Sequence, residues 1–338
     1  MTWEFAEVKP CNGRKCTVCG ARTPVYFRKY SGEMLCARCF KKNIVERVRR
    51  TISRYDLLRP DDRILVAASG GKDSLALLKI LYEIELDFPK SELLAVTVDE
   101  GIGGYREKCA ETVKRFASSL GIPFFRASFK EIYGFTLSEV IEARIHEKLG
   151  VNPCAICGIL RRKALSTTAR RLGASVIATA HTLDDVVNTY LLNLLKGERN
   201  IKPVGLRREG GNAIPRVAPL RLIPEREMAL YAYLEDLPFQ TETCPYTHSS
   251  MRDKVRNFMA WYAAHQPEAL YAFLSNFERM LSPPKAENRC EICGEPTSRK
   301  ICRACELEIA IKKYLGLDPH EPEGLEREGH VSDYEEEA

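Results

Sequence analysis

Short runs of apolar residues alternate along the chain with longer segments in which polar positions recur every three to four residues. The uninterrupted apolar runs predict buried β-strands, because strands that are covered on both faces lose the polar alternation. These runs are residues 64–68, 93–98 and 175–180, and a further strand is predicted to begin near residue 124. Helices are predicted at residues 43–58, 75–81, 106–120, 137–149, 159–172, 224–237, 251–266 and 268–281. This order predicts an α/β fold with a doubly wound parallel sheet.

A glycine turn joins the first predicted strand to the helix that follows it. The turn reads Ser69-Gly70-Gly71-Lys72-Asp73-Ser74. Paired glycines let the backbone approach a ligand closely, and the free N–H groups at the start of a helix attract anions. The turn therefore predicts a phosphate-binding loop. It is not a Walker A loop, because Val66 stands where that motif requires a glycine. An ordinary structural turn is the alternative.

The length and charge of the chain indicate several units and a basic body. Since single cores stop growing near about 250 residues, 338 residues predict two or three units. We place the boundaries after residues 42, 283 and 317, so that residues 1–42 and 284–317 form short flanking modules, residues 43–283 form the large central domain, and residues 318–338 form an acidic, disordered tail. The tail holds nine acidic residues and one arginine, which leaves 50 basic and 37 acidic residues, a net charge of +13, in residues 1–317. This body favours a nucleic-acid partner over a merely solvated surface.

No apolar run reaches the roughly 18 residues of a membrane span, and the N-terminus lacks a signal-peptide pattern. We therefore expect a soluble, cytoplasmic protein. Glutamine occurs only twice, which is typical of thermophilic proteins.

Thirteen cysteines in such a protein indicate metal sites rather than disulfides. Two pairs of Cys-x-x-Cys motifs flank the α/β region, and each pair can give four thiolates to one tetrahedral zinc ion. The short segments that carry them cannot build an apolar core, so the metal would supply their folding energy. The predicted zinc ligands are Cys16, Cys19, Cys36 and Cys39 at one end and Cys290, Cys293, Cys302 and Cys305 at the other.

A third set of cysteines lies within the α/β region. Cys154 and Cys157 form a Cys-x-x-Cys motif without a second pair nearby, and Cys244 precedes a proline, as iron–sulfur ligands sometimes do. Three thiolates suit a [4Fe–4S] cluster with one iron free. A redox-active or persulfide-carrying pair and a purely structural role are the alternatives that the residues leave open.

Together these motifs resemble those of the TtuA/TtcA family of tRNA 2-thiolation enzymes, within the PP-loop ATP pyrophosphatase superfamily. The resemblance covers about residues 14–317, and the paired zinc modules match the TtuA branch and its wobble-uridine relatives. The motifs are the Ser69–Ser74 loop, the GIGGYR loop at residues 101–106, Pro153-Cys-x-x-Cys-Gly158 followed by Arg161, His181-Thr-Leu-Asp-Asp185, and Cys244-Pro245.

The resemblance implies specific roles for these residues. It implies a [4Fe–4S] cluster on Cys154, Cys157 and Cys244, and an essential carboxylate at Asp185. Asp73 is expected to position Mg²⁺ or the turn. The implied ATP contacts are Ala68, Ser69, Gly70, Gly71, Lys72, Asp73, Ser74, Val98, Gly103, Arg161, Ala180, His181 and Asp185. Some relatives carry lysine at the position of Arg161, a site that is implicated in their catalysis. Arginine stays charged and cannot act as a general base. Lys163 is therefore an alternative residue for proton transfer in this chain.

The implied activity is ATP-dependent 2-thiolation of a tRNA uridine, with the T-loop 5-methyluridine 54 as the expected target and wobble uridine 34 as the alternative. The implied sulfur donor is a ubiquitin-like protein with a C-terminal thiocarboxylate, and the implied assembly is a homodimer. A zinc-ribbon RNA-binding protein with a non-catalytic, ATP-sensing domain is the rival hypothesis from a different class.

Overall fold

The computed structural model describes residues 14–198, 201–208, 213–246, 251–281 and 288–318. The predicted acidic tail lies outside these residues, apart from Asp318. The N-terminal module consists of a hairpin, β1 (Tyr26–Arg28) and β2 (Glu33–Leu35), followed by helix α1 (Ala37–Arg54). Since α1 begins at Ala37, the predicted helix at residues 43–58 starts earlier than expected, and the predicted boundary after residue 42 falls inside it.

A five-stranded parallel sheet forms the centre of the molecule, which confirms the predicted fold class. Its strands are β3 (Arg63–Ala67), β4 (Glu92–Asp99), β5 (Phe124–Ser128), β6 (Val176–Thr179) and β7 (Arg216–Val217). They lie in the order β5-β4-β3-β6-β7, and every neighbouring pair is parallel. Because the chain leaves β3 toward β4 and later returns to its other side, the carboxyl ends of β3, β4 and β6 border a crevice where α/β folds bind ligands.

Helices cover both faces of this sheet. In chain order they are α2 (Lys72–Glu85), α3 (Tyr105–Ser119), α4 (Phe129–Tyr133), α5 (Leu137–Glu142), α6 (Ile145–Lys148), α7 (Pro153–Arg171), α8 (Leu183–Leu195) and α9 (Glu225–Leu234). Ile64 and Val66 of β3 pack into a core shared with α1, α2 and α9, whereas Leu65 faces a second core with α7. This alternation is what a strand buried on both sides requires.

Two other predicted helices also differ from the structure. The helix predicted at residues 137–149 is split into α5 and α6, because Arg144 adopts a left-handed conformation with φ +52°. The helix predicted at residues 159–172 begins earlier, at Pro153, where the side chain of Asn152 accepts a hydrogen bond from the N–H of Cys154. Proline is favoured in a first helical turn, and asparagine is a preferred cap. The Cys154-x-x-Cys157 motif therefore lies in the first turns of α7.

The C-terminal part adds α10 (Met251–His265) and α11 (Ala269–Met280), which pack with α8 around a third core. A second small module then contains β8 (Asn288–Arg289), β9 (Pro296–Thr297) and α12 (Arg303–Leu315), the last packed against α7. Among the helices of the described ranges, none is long and apolar enough to cross a membrane.

A buried carboxylate attaches the N-terminal module to the central domain. Glu227 of α9 is fully buried and forms ion pairs with Arg28 of β1 and with Arg47 of α1. The hydroxyl of Tyr30 donates a further hydrogen bond to it at 2.7 Å. Arg47 therefore has a structural partner rather than facing solvent.

Candidate active site and metal centres

The predicted phosphate-binding loop lies between β3 and α2, at the carboxyl edge of the sheet. Gly70 has φ +83°, and a Cβ atom there would lie 3.1 Å from the carbonyl oxygen of Cys109, so only glycine fits without strain. Ser74 holds the loop closed: its hydroxyl accepts from the N–H of Ser69 at 3.0 Å and donates to the carbonyl oxygen of Gly71 at 2.9 Å. The two hydrogen bonds of this one hydroxyl group therefore fix the shape of the loop.

Acidic side chains surround the lysine of this loop. Lys72 Nζ lies 2.9 Å from a carboxylate oxygen of Asp73 and 2.9 Å from one of Glu225, at the start of α9. Asp184 accepts a hydrogen bond from the N–H of Glu225 at 2.7 Å. Burial raises the pKa of Asp73 to about 6, against the opposing effect of Lys72, and raises the pKa of Asp184 to about 6.

These carboxylates fit a magnesium ion that ATP brings with it. The Oδ1 atom of Asp73 is buried without a hydrogen-bond partner in the described part of the chain. Mg²⁺ in nucleotide sites takes one or two protein carboxylates and completes its shell with phosphates and water. The sequence predicted Asp73 but not Glu225 or Asp184. Glu225 reaches Lys72 from 153 positions away in sequence, so no local motif could have indicated it.

One cavity of about 390 Å³ joins the loop to the third cysteine set. Ser69 and Gly71 line one part of it, and Arg161 and Cys244 line another. The structure thus brings the predicted phosphate site and a predicted cluster ligand to the same space, together with Cys109 and Gln240.

The other two predicted cluster ligands lie at the start of α7. Cys157 is buried, and its Sγ accepts from Arg161 Nη2 at 3.2 Å; Cys154 is exposed, with its Sγ 3.6 Å from the carbonyl oxygen of Tyr246. Tyr246 follows Cys244 by two residues, so the loop carrying Cys244 crosses the first turn of α7. Burial raises the pKa of Cys157 to about 11, although Arg161 opposes this.

Arg161 is held by a residue that the sequence did not single out. Glu100, at the end of β4, is fully buried and lies 2.6 Å from Arg161 Nη2. Arg106 Nη2 donates to the same carboxylate at 2.7 Å. The signal available in the sequence was an acidic residue directly after a buried strand, in Asp99-Glu100-Gly101. Arg161 therefore has its guanidinium oriented toward the cavity by an ion pair, whereas proton transfer is closed to it.

Lys163 points to a different part of the molecule. Its ammonium group pairs with Glu308 of α12 and lies 3.3 Å from the sulfur of Cys305. Glu308 raises the pKa of Lys163 even though burial opposes this. The structure thus places the alternative proton-handling residue at the C-terminal cysteine site, away from the lining of the cavity.

The remaining predicted site residues follow the same edge of the sheet. Ala68 follows β3, Val98 lies near the end of β4, Gly103 lies in the loop after it, and Ala180 follows β6. They surround the crevice between these strands.

His181 and Asp185 begin α8. Asp185 forms the reciprocal cap of the helix with Thr182 and an ion pair of 3.1 Å with Arg256. Although burial favours the neutral acid, His181 and the N–H of Thr182 hold the pKa of Asp185 below its usual value. Burial lowers the pKa of His181, whose Nδ1 lies 2.9 Å from the hydroxyl of Thr179. The pair thus offers an ionised carboxylate and a neutral imidazole, and Asp185 also stabilises the helix.

Two four-cysteine sites lie at the predicted positions. In each set all four sulfur atoms lie within 4.8 Å of one another. Cys19 and Cys36 have sulfurs 4.0 Å apart, and Cys293 and Cys302 have sulfurs 3.7 Å apart. Tetrahedral zinc with bonds of about 2.3 Å places its sulfurs about 3.8 Å apart, so both sets fit zinc. The third set, Cys154, Cys157 and Cys244, is not gathered this tightly within the described ranges.

Comparison with known proteins agrees with this geometry. A family model described as a PP-loop domain matches residues 40–261. The chain is 35% identical over 293 residues to a probable sulfurtransferase of Methanocaldococcus jannaschii, covering 85% of this chain and 86% of that protein. It is 33% identical to the tRNA 2-thiolation protein NcsA of Haloferax volcanii, covering 88% of this chain and 99% of that protein.

A solved structure is similar along nearly its whole length. The U34-tRNA thiolase NcsA of Methanococcus maripaludis, determined with its [4Fe–4S] cluster, superimposes with a TM-score of 0.76 at 30% identity. The match covers 90% of this chain and 97% of that one.

Proposed function

Since this chain belongs to the PP-loop family of tRNA 2-thiolation proteins, we propose that it is an ATP-dependent sulfurtransferase that replaces the C2 oxygen of a tRNA uridine with sulfur. The observation that carries this proposal is the shared cavity, in which the phosphate-binding loop, Arg161 and Cys244 face one another. A carbonyl activated by ATP and an incoming sulfur would meet in that space.

The first step is adenylation of the base. The uracil C2 oxygen attacks the α-phosphorus of ATP, the bond to the β-phosphate oxygen breaks, and pyrophosphate leaves. The Ser69–Ser74 loop receives the leaving group, where Lys72 and the N–H groups at the start of α2 offset its growing charge. Asp73 and Glu225 would hold Mg²⁺, whose positive charge would help to neutralise the phosphates.

The second step replaces AMP by sulfur. A sulfur nucleophile adds to the activated C2, the C2–O bond breaks, and AMP leaves with the former uracil oxygen. Arg161, fixed by Glu100, is placed to bind the phosphate of the departing AMP with its planar guanidinium. Asp185 remains ionised and orients the magnesium shell or the nucleotide together with His181.

Three cysteines can hold a cofactor that would carry this sulfur after a donor has delivered it. Cys244 faces the cavity, Cys157 borders Arg161, and Cys154 is exposed beside the loop that carries Cys244. Three thiolates at these positions fit a [4Fe–4S] cluster, which would leave one iron without a cysteine ligand and would thereby offer a binding site for hydrosulfide. The exposure of Cys154 leaves an approach from solvent for a sulfur donor.

The flanking cysteine sites are proposed to bind two zinc ions. In each, the second Cys-x-x-Cys pair lies at the start of a helix, α1 or α12, so that the metal fixes the helix to its hairpin. Cys290 Sγ also accepts a hydrogen bond from the N–H of Cys302 at 3.2 Å, as metal-bound thiolates do.

The target base has two candidates. The similar Methanococcus protein is a U34-tRNA thiolase, which favours wobble uridine 34. The resemblance to the TtuA branch and the scarcity of glutamine underlie the other candidate, the T-loop 5-methyluridine 54, and the paired zinc modules are common to both groups of relatives. Both use the same carbonyl chemistry, and nucleoside mass spectrometry of tRNA fragments from a deletion strain distinguishes them by the position that loses sulfur.

The sulfur donor is proposed to be a ubiquitin-like protein with a C-terminal thiocarboxylate, and the enzyme is proposed to act as a homodimer in the cytoplasm. The resemblance of the motifs supports the donor and the dimer, and the name of the relatives called cytoplasmic tRNA 2-thiolation protein 1 supports the compartment.

The proposed function is tested by incubating the anaerobically prepared protein with ATP, sulfide and unmodified tRNA. We expect AMP and pyrophosphate to form in a tRNA-dependent manner, together with 2-thiouridine. ATP binding without AMP formation under these conditions would instead support the ATP-sensing RNA-binding protein.

A further inference from the structure

Three arginines from separate elements lie together beside His181. They are Arg162 of α7, Arg216 at the start of β7 and Arg252 in the first turn of α10, and we call them the arginine cluster. Arg216 Nη2 donates to the carbonyl oxygen of Arg162 at 2.7 Å, which fixes β7 against α7 at this point. Arg162 and Arg252 are exposed, and the charges of both act to lower the pKa of His181.

The cluster carries positive charge and forms no ion pair with a carboxylate within the described ranges, although the charge of Glu295 acts on Arg216. None of the three guanidinium groups has an acidic oxygen within 4.0 Å there, and the neighbouring acids have other partners: Glu295 pairs with Arg170, and Asp185 pairs with Arg256. Burial lowers the pKa of Arg162, and the charges of Arg216 and Arg252 lower it further. Like charges held this close destabilise a protein unless an anion binds between them.

The position of the cluster connects it to the reaction cavity. Arg162 follows Arg161, which lines the cavity, and Arg252 lies one helical turn before Arg256, which contacts Asp185. An anion bound here would therefore lie next to the reacting groups but on the outer surface of the protein.

We propose that the arginine cluster binds a backbone phosphate of the tRNA, next to the uridine that enters the cavity; this inference rests on the proposed function. One guanidinium group can donate two parallel hydrogen bonds to two oxygens of the same phosphate. The polyphosphate of ATP has its own site at Lys72 and the start of α2, whereas Arg162 and Arg252 face outward, as a ligand that continues across the surface requires. Phosphate contacts of this kind set the register of a nucleic acid without reading its sequence.

The experiment measures the dissociation constant of unmodified tRNA, without ATP, over a series of KCl concentrations. The variants are Arg162→Gln and Arg252→Gln, and the matched control is Arg115→Gln, an exposed arginine of α3 that pairs with Glu111. Each cluster variant is expected to weaken tRNA binding about tenfold at low salt. The slope of log affinity against log salt should fall by about 0.7 to 0.9, the loss of one phosphate contact. The control should change neither quantity.

Two further measurements decide the source of the phosphate. The affinity for ATP in the absence of tRNA should be the same in all variants, and Arg162→Lys should restore the salt slope, since it keeps the charge. A fall in ATP affinity with unchanged tRNA binding would overturn the inference, because the cluster would then serve the nucleotide.

Equal tRNA affinity and equal salt slopes in the wild type and both glutamine variants would also overturn the inference that the arginine cluster binds tRNA. In that case, tRNA binding and thiolation by the wild type would leave the proposed function standing. A wild-type protein that neither binds nor thiolates tRNA would instead remove the proposed function itself.

Discussion

Replacing Glu100 with glutamine tests how the cavity is organised. Glu100 is completely buried and receives two guanidinium groups, from Arg106 at 2.7 Å and from Arg161 at 2.6 Å. Glutamine keeps the shape of the side chain but removes the charge, and its amide N–H₂ would face the N–H groups of one arginine. Removing one partner of a buried ion pair costs about 3–5 kcal/mol, since the remaining charge is left uncompensated. We expect Glu100→Gln to lower the free energy of unfolding by about that amount.

The assay compares urea unfolding of the zinc-loaded variant with that of Glu92→Gln. Glu92 is at the other end of the same strand, half exposed, and pairs with Arg63, so its loss should cost only about 0.2–1 kcal/mol. AMP formation should fall at least about tenfold in Glu100→Gln, because a misplaced Arg161 no longer binds the phosphate. The double variant Glu100→Gln/Arg161→Gln should cost less than the sum of the two single variants. A cost below about 1 kcal/mol for Glu100→Gln, together with additive single variants, would refute the reasoning.

The remaining predictions concern the acidic residues and the cysteines. The rate of AMP formation should decline as the pH falls through about 6, because burial raises the pKa of Asp73 to about 6 and this carboxyl must be ionised to bind Mg²⁺. Excess Mg²⁺ should move the midpoint of the pH–rate profile to lower pH. A midpoint that does not move would argue against this role of Asp73. Since the raised pKa also means that folded Asp73 holds its proton more tightly than the unfolded chain, its contribution to stability should be largest below pH 4 and be lost as the pH rises through about 6. The Cys244→Ala variant should lose iron and thiolation activity but keep both zinc ions, whereas the Cys109→Ala variant, changed in the same cavity, should keep the iron. Metal analysis of the two anaerobically prepared variants checks this. Equal iron contents would contradict Cys244 as a ligand of the cluster. Cys39→Ala should lower the zinc content from two ions to one, and an unchanged content would exclude Cys39 as a ligand.

The local motifs could be read from the sequence because their chemistry is carried by neighbouring residues. The Ser69–Ser74 loop is closed by a hydrogen bond between Ser69 and Ser74, five positions apart, and each cysteine pair needs only a hairpin and a helix start. Contacts across long sequence separations could not be found in this way. Glu225 reaches Lys72 from another helix, and Glu100 reaches Arg161 across the sheet.

Helix boundaries show a similar limit. The early start of α7 had a local signal in Asn152-Pro153, a favoured cap followed by a favoured first-turn residue, but the predicted helix began only at residue 159. The side on which Lys163 lies depends on α12 packing against α7, which periodicity within one helix does not reveal. Local capping therefore decided the helix boundary, and tertiary contact decided the direction of Lys163.

The buried carboxylate of Glu227 limits how the protein can be divided. Excising the N-terminal hairpin would remove Arg28 and Tyr30 and leave this carboxylate exposed to solvent with Arg47 alone. Glu227 lies two residues after Glu225, the partner of Lys72, on the same turn of α9. Removing the hairpin would therefore destabilise α9, the helix whose first residue contacts Lys72 of the phosphate-binding loop. The hairpin is thus a structural part of the catalytic domain and not a separable RNA-binding module.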